Sequence, residues 1–304
     1  MLDCHSNSNF TFLSYNIQMS SLDVDGHKWS YDNITNGKVG RYLPVVEMIN
    51  KADLCALQEV THHQFVDLKQ LLPDYEFIGV NIVTENDLSI NCDPLHEGLV
   101  ICYKPIMFTL NHPNSNYFVP FQGDWLFKKG FQVATLQHVV NGKQLTVFNS
   151  HFPHDDNPKC RIDAAAMELR EINKYCDNPI ICAGDRNFHF PRDQLAYDLY
   201  HVNKPTIIDS KLDANTVYDN PTFIGYQGHV RMNTIVNNTL QHNNYLDVIY
   251  HKNLKCTSWC CHLGEYDDNY QLLPYSHLVV RDCDKRNFAS DHSAILTTFQ
   301  CEHY

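Results

Sequence analysis

Short apolar runs alternate with amphipathic stretches along this chain, and their spacing separates strands from helices. Residues 10–17 read as a strand. Residues 40–51 read as a helix, because Leu43, Val46 and Ile49 recur at three-residue steps. Residues 54–57 form a short apolar strand. Thr61 is placed to cap a helix running to Leu72, which Pro73-Asp74 ends. A further strand begins at residues 76–80. Residues 98–103, 131–140 and 144–149 are strand-like, and Asn141-Gly142 between the last two signals a hairpin turn, since both residues tolerate a positive φ. Residues 159–175 read as a helix, 179–183 as a buried strand, and 192–202 as another helix. Residues 245–250, 254–262 and 293–299 read as closing strands.

Hairpins mixed with helices imply two packed sheets with helices outside them. No internal repeat, low-complexity tract or Pro/Gly/Ser linker interrupts the pattern, so one domain covering 1–304 is expected. Residues 84–94, 113–130, 209–244 and 264–286 are the least regular and long enough to be functional surface loops.

Composition narrows the class. Of 304 residues, 43% are hydrophobic and 19% charged, a globular balance rather than a disordered or membrane-embedded one. No run approaches the roughly 18 apolar residues of a membrane span. The first residues are polar and include an acid, so no secretory leader is read and a cytoplasmic location is expected. The net charge of −12 sets 35 acidic against 23 basic residues, with Lys128-Lys129 and residues 281–286 as the best basic clusters. This weighs against tight binding of long nucleic acid, which is driven by counterion release at many cationic contacts. Twelve cysteines form no regular framework, and Cys55, Cys102 and Cys182 sit inside apolar runs, where a thiol packs as a small hydrophobe. Reduced thiols are expected.

Polar groups recur where the apolar strands end. Asn16 follows Phe-Leu-Ser-Tyr, Glu59 follows Leu-Cys-Ala-Leu-Gln, and His151 follows Val-Phe-Asn-Ser. Asp185 and Asn187 follow Ile-Ile-Cys-Ala-Gly, Asp247 sits in Tyr-Leu-Asp-Val-Ile-Tyr, and Asp291-His292 precede Ser-Ala-Ile-Leu. One strand-end carboxylate is ordinarily just solvated. Gathered at one rim, these carboxylates and amides suit a hard cation such as Mg²⁺ or Mn²⁺. The histidines suit proton transfer or phosphate stabilisation.

Ser-Tyr-Asn16, Leu-Gln-Glu59, Asn-Ser-His151-Phe, Gly-Asp185-Arg-Asn187, Leu-Asp247-Val-Ile and Ser-Asp291-His292, in this order, resemble the motifs of the endonuclease/exonuclease/phosphatase superfamily. The resemblance spans residues 10–299. It implies a four-layer α/β sandwich, with two central, mostly antiparallel sheets flanked by helices. It also implies divalent-metal-dependent hydrolysis of a phosphoester by in-line attack of water, with Mg²⁺ or Mn²⁺ as cofactor. Glu59 would bind the metal, with Asn16 close by and Asp291 as a further ligand or orienter. Asp185 and Asn187 would position and activate the water. His292, oriented by Asp247, would contact the scissile phosphate, and His151 would stabilise the phosphorane or help the leaving group. A phosphodiester is the expected substrate, in nucleic acid or a phospholipid headgroup. The alternative is a phosphomonoester on a lipid, inositol or sugar, and the distant one a binding module that kept the fold. A monomer is expected.

Within that superfamily, Trp29, Arg41, residues 64–75, His96-Glu97-Gly98 and residues 222–225 resemble a group of bacterial hydrolases. Arg161, ten residues after His151, resembles an arginine there and is a candidate for bidentate contact with phosphate. Arg186 is a departure, because an apolar residue is usual between the Asp and the Asn. It would pair with Asp185, touch substrate or point outward. The Pro-Ala-Trp-Cys-Asp-Arg signature of inositol 5-phosphatases is missing before Asp247. Other clusters read more plainly. Cys256, Cys260, Cys261 and His262 lack a zinc-binding spacing. Trp29 and Trp125 read as loop anchors, and Glu97 is balanced between the substrate rim and a solvated loop.

Overall fold

Alternation along the strands divides their side chains between two environments. On residues 9–16, Phe10 and Phe12 join one apolar cluster, whereas Leu13 and Tyr15 join another. Residues 54–57 do the same: Leu54 and Ala56 enter the first cluster, Cys55 and Leu57 the second. A period of two therefore buries both faces of these strands. The computed structural model of the chain describes residues 9–19, 29, 41–89, 96–112, 115–123, 128–154, 156–175, 177–202, 207–223, 235–236, 239–240, 245–263, 265–266, 287–288 and 290–300. Trp125, Gly225, residues 281–286 and most of 264–286 lie outside them.

In chain order the elements begin with β1 (Asn9–Asn16), α1 (Tyr42–Asn50), β2 (Leu54–Thr61), α2 (His62–Leu71), β3 (Glu76–Asn81), β4 (Glu97–Tyr103), β5 (Phe108–Leu110) and β6 (Asn116–Pro120). Then follow β7 (Gly130–His138), β8 (Gln144–His151), α3 (Pro158–Ile172), β9 (Ile180–Asp185), α4 (Gln194–Val202), β10 (Ile208–Asp209), α5 (Ser210–Asp213) and β11 (Thr216–Tyr218). The last are β12 (Ile235–Val236), β13 (Thr239–Leu240), β14 (Asp247–Lys252), β15 (Lys255–His262), β16 (Glu265–Tyr266), β17 (Asn287–Phe288) and β18 (Ala294–Gln300).

One sheet runs β11-β15-β18-β1-β2-β4-β3, and the other runs β10-β14-β9-β8-β7-β5 with β6 also on β7. Most neighbours are antiparallel, with β1–β2, β8–β9 and β11–β15 parallel. Phe10, Phe12, Leu54 and Ile101 of the first sheet meet Leu136, Val147, Ile181 and Ile249 of the second in the central core. Val45, Met48 and Ile49 of α1 and Phe65 and Leu68 of α2 cover the outer face of the first sheet. Ala164, Ala165 and Leu169 of α3 and Ala196 and Tyr200 of α4 cover that of the second. The four-layer α/β sandwich expected from the sequence is therefore the observed architecture.

Local chemistry explains the boundaries. Thr61 caps α2 through a capping box: its hydroxyl accepts from Gln64 N, and Gln64 Oε1 accepts from Thr61 N at 2.9 Å. Strand β2 outruns the predicted 54–57 because a register shift between Leu57 and Val60 absorbs the polar Gln58-Glu59. Strand β6 falls in the predicted loop 113–130, and α5 and β11 fall in 209–244. Every residue of β6 is half-buried, so no two-residue alternation marks it. Among the described residues, no helix is long and apolar enough to cross a membrane.

Two features set the geometry beneath the future site. Asn149 of β8 crosses to the other sheet: its Nδ2 donates to Leu57 O and Val100 O, each at 3.0 Å, and its Oδ1 accepts from Gln58 Nε2 at 2.8 Å. Gly184 sits against Ser150 at φ 139°, where an added Cβ would fall 1.9 Å from Ser150 O. Gly184→Ala is expected to destabilise the protein by more than about 1 kcal/mol, since both backbone strain and the contact oppose it. Chemical denaturation would measure the loss.

Candidate active site

The strand directions bring chemistry to one rim. Parallel pairs β1–β2 and β8–β9 each deliver their C-terminal ends there, while antiparallel β4, β14 and β18 begin there. His151, Asp185 and Asp247 are direct register partners across three adjacent strands. From the first sheet come Asn16 at the end of β1 and Glu59 in the β2 bulge, with Asp291 and His292 just before β18. Glu59 has a φ of 57° and Asn187 one of 49°. These left-handed conformations re-aim the two side chains and hold strain of the kind found at functional sites.

The amide of Asn16 joins the two sheets. Its Nδ2 donates to Glu59 Oε1 at 2.9 Å and to Asp185 Oδ2 at 3.2 Å. Its Oδ1 accepts from Gln18 N at 2.9 Å, and Met19 N donates to Glu59 Oε2 at 3.1 Å. The loop doing this is held in turn by Arg41, which donates to Ile17 O and Gln18 O. On the second sheet, Asp185 Oδ1 accepts from Asn187 N at 2.9 Å, and Asn187 Nδ2 donates to Phe152 O at 2.9 Å. His292 Nδ1 lies 2.8 Å from Asp247 Oδ2, which orients the ring and leaves Nε2 3.7 Å from Asp185 Oδ2. His151 Nε2 lies 3.5 Å from Asp185 Oδ2 and 3.9 Å from Glu59 Oε1.

Two residues outside the predicted set join this constellation. Lys129 donates to Glu97 Oε1, and its Nζ lies 3.2 Å from both ring nitrogens of His151. Glu97 Oε2 is 3.6 Å from His151 Nδ1. The hairpin carries a signal for Lys129: counting back from Asn141-Gly142 sets Gly130 opposite His151. Glu97 turns out to belong to the site rather than to a solvated loop.

Charge is crowded here. Burial raises the pKa of Asp185, His292 opposes it, and Asp247 raises it again, leaving this carboxyl at about 7. Burial works against a charge on His292, but the carboxylates of Asp247 and Asp185 override it and hold the ring well above the usual histidine range. His151 goes the other way: burial first and the Lys129 ammonium second push it well below that range. The site thus pairs a cationic histidine with a neutral one. Burial and Glu97 raise the pKa of Glu59, while His151, Lys129 and the Asn16 hydrogen bond lower it, and the net direction is down.

Of the ten predicted site residues, eight gather: Asn16, Glu59, His151, Asp185, Asn187, Asp247, Asp291 and His292. Two sets offer ligand atoms within 4.8 Å of one another, Glu59–His151–Asp185 and Asp185–Asp247–His292. Asp291 stands beside His292, with Ser290 Oγ 3.3 Å from its Oδ1, and belongs to neither set. The two arginines are a correction. Neither Arg161 nor Arg186 faces the rim; both side chains are fully buried behind the second sheet. Arg186 is ion-paired with Glu168, and Arg161 Nε lies 2.8 Å from Asp193 Oδ1. Arg186 pairs with Glu168 rather than with Asp185 because successive strand residues face opposite ways.

The donors fit a hard divalent cation. They are mainly carboxylate oxygens, and Asp247 Oδ1 is buried without a hydrogen-bond partner among the described residues. Glu59 and Asp185, which both accept from Asn16 Nδ2, could hold such an ion between them.

No protein-family model matches the chain, and no curated protein does. Solved structures do match it along nearly its whole length. An endonuclease/exonuclease/phosphatase from Bacteroides vulgatus superposes with a TM-score of 0.72 at 19% identity, covering 97% of this chain and 99% of that one. A mannosyl-6-phosphatase from Bacteroides thetaiotaomicron gives 0.70 at 18% identity, over 95% and 98%. The human Nocturnin catalytic domain with a bound sulfate anion gives 0.60 at 15%, over 97% and 95%. Together with the two helix-flanked sheets, these matches show that the chain has the endonuclease/exonuclease/phosphatase fold.

Proposed function

We propose that the chain is a divalent-metal-dependent phosphoesterase that hydrolyses its substrate by in-line attack of water. The observation that carries this reading is the position of Asp185. It is shared by both candidate ligand sets and lies within reach of Asn16, His151 and His292. A bound Mg²⁺ or Mn²⁺ would supply neutralisation of the phosphate's negative charge. The chain's own residues supply the rest. His292, held as a cation by Asp247, donates from Nε2 to a phosphate oxygen where charge accumulates. Asp185, which faces Asn16 Nδ2, Asn187 N and the His292 ring, orients the attacking water and accepts its proton. Asn187 commits Nδ2 to Phe152 O and keeps Oδ1 for orienting that water. His151, kept neutral beside Lys129, offers a hydrogen bond without adding charge.

The substrate class proposed from the sequence is a phosphodiester. A second reading, a phosphomonoester, is favoured by the Lys129 ammonium beside His151, because a terminal phosphate dianion calls for additional cationic groups. The likeness to a solved mannosyl-6-phosphatase points the same way. A matched assay with bis(4-nitrophenyl) phosphate and 4-nitrophenyl phosphate in Mg²⁺ or Mn²⁺ separates them. Faster turnover of the diester supports the first reading, and a clear preference for the monoester, lost in Lys129→Met, supports the second. Turnover of neither, nor of nucleic acid, phospholipid headgroups, inositol phosphates or sugar phosphates, would count against the phosphoesterase reading itself.

A further inference from the structure

The strand alternation that aims His151 and Asp185 at the rim aims Ser150 into the helix layer behind it, and Phe152 and Arg186, just past the strand ends, enter that layer too. There they meet one buried carboxylate. Glu168 of α3 accepts from Ser150 Oγ, from Arg186 Nη1 and from the Tyr200 hydroxyl of α4. Arg186 Nη1 also donates to Tyr200 OH at 3.0 Å. The guanidinium carbon lies 4.7 Å from the Phe152 ring centre, 5.4 Å from that of Tyr200 and 5.8 Å from that of Tyr250. Its Nε and Nη2 have no hydrogen-bond partner among the described residues; neighbouring ring faces provide a cation–π environment instead. The backbone completes the clamp: Arg186 N donates to Leu246 O at 2.8 Å and Phe152 N to Asp185 O at 2.9 Å.

We infer that Arg186, clamped by Glu168 and Tyr200, is a positioning residue that sets the distance between His151 and Asp185. The clamp grips residue 150 on β8 and residue 186 immediately after β9, each directly beside a site residue. The β8–β9 ladder registers His151 with Asp185, and an apolar side chain at 186 would fill the space without adding the side-chain tie through Glu168 to Ser150. A buried ion pair is weak support for stability, since burying both charges costs nearly what their attraction returns. Its contribution here lies in geometry. Arg161 repeats the device one step outward. It pairs with Asp193, and its Nη1 donates to Pro153 O at 3.2 Å, while Asp193 Oδ2 accepts from His189 N at 2.8 Å. The chain segments leaving His151 and Asn187 are thereby held as well.

The inference rests on the phosphoesterase reading for its catalytic readout, whereas binding of Mn²⁺ alone tests it independently. The full chain would be compared with Tyr200→Phe and with the paired variant Arg186→Leu/Glu168→Leu, which removes both charges together. Calorimetric titration with Mn²⁺, thermal unfolding, and kcat and KM on the better aryl phosphate would be measured. The paired variant is expected to unfold cooperatively, bind Mn²⁺ about tenfold more weakly and lose about tenfold or more in kcat with KM little changed, as when a ligand's supporting partners are removed. Tyr200→Phe should move Mn²⁺ affinity and kcat in the same direction by less, and it decides the matter if the paired variant does not fold. Wild-type Mn²⁺ affinity and kcat in a folded paired variant, or in Tyr200→Phe if the pair is unfolded, would overturn the inference. Absence of turnover by the wild type would strike the functional reading and leave the Mn²⁺ comparison standing.

Discussion

Asp185→Asn is expected to lower metal-dependent turnover by about 10²- to 10⁴-fold, the range for losing a positioned general base. The substitution keeps the shape of the side chain and an acceptor for Asn187 N. It removes the negative charge that both ligand sets share and the group able to take a proton from water. The same change should stabilise the metal-free protein. Folding raises this carboxyl from its ordinary 3.8 to about 7, chiefly through burial. Between those values the folded chain holds a proton that the unfolded chain has released, so wild-type stability falls as pH rises through that window. Asparagine escapes that loss. Metal-free Asp185→Asn should therefore melt above metal-free wild type at pH 8, with a smaller gap at pH 5. Addition of Mn²⁺ should raise the wild-type melting temperature more than that of the variant, because only a state that binds the ion is stabilised by it. A variant with wild-type turnover would contradict this role.

Glu59→Gln is the second large effect. Glu59 is the more solvent-accessible carboxylate of its ligand set, with a side chain 21% exposed against 3% for Asp185, and its pKa is lowered overall. It is therefore ionised and open to an arriving cation. Glutamine can still accept from Asn16 Nδ2, but its amide N–H then faces Met19 N and that hydrogen bond is lost. Affinity for Mg²⁺ and Mn²⁺ should weaken by at least about 10- to 100-fold, the range for losing a mere supporting partner of a ligand. Activity should return in part as metal concentration rises, which distinguishes this variant from Asp185→Asn. An unchanged metal requirement would remove Glu59 from the ligand set.

Much of this arrangement is written in local patterns. The two-residue alternation of Phe10–Phe12 against Leu13–Tyr15 specifies a strand buried on both faces. Thr61 and Gln64 announce the start of α2 through their capping chemistry. Asn141-Gly142 fixes a hairpin register that carries through to Gly130 and His151. The eight residues at the rim were legible because each follows or precedes an apolar run. What escaped the pattern depended on tertiary context. The bulge that turns Glu59 inward at positive φ leaves no mark beyond two polar residues after Leu57. For Glu97 and Lys129 the residue types carried no sign of a role, and their pairing around His151 supplies it. The arginines were misread for a physical reason. Chemistry suggested phosphate for Arg161 and Arg186, yet continuing the strand alternation one step past Asp185 turns residue 186 away from the rim, as found. That geometric signal was present in the motif itself and outweighs the affinity of guanidinium for phosphate.

The most direct test of the site's central property is turnover of bis(4-nitrophenyl) phosphate and 4-nitrophenyl phosphate by chelator-stripped protein before and after Mg²⁺ or Mn²⁺ is restored. The expected result is negligible hydrolysis without metal, recovery on its addition, and no recovery in Asp185→Asn. Hydrolysis that persists in chelator and survives Asp185→Asn would contradict it.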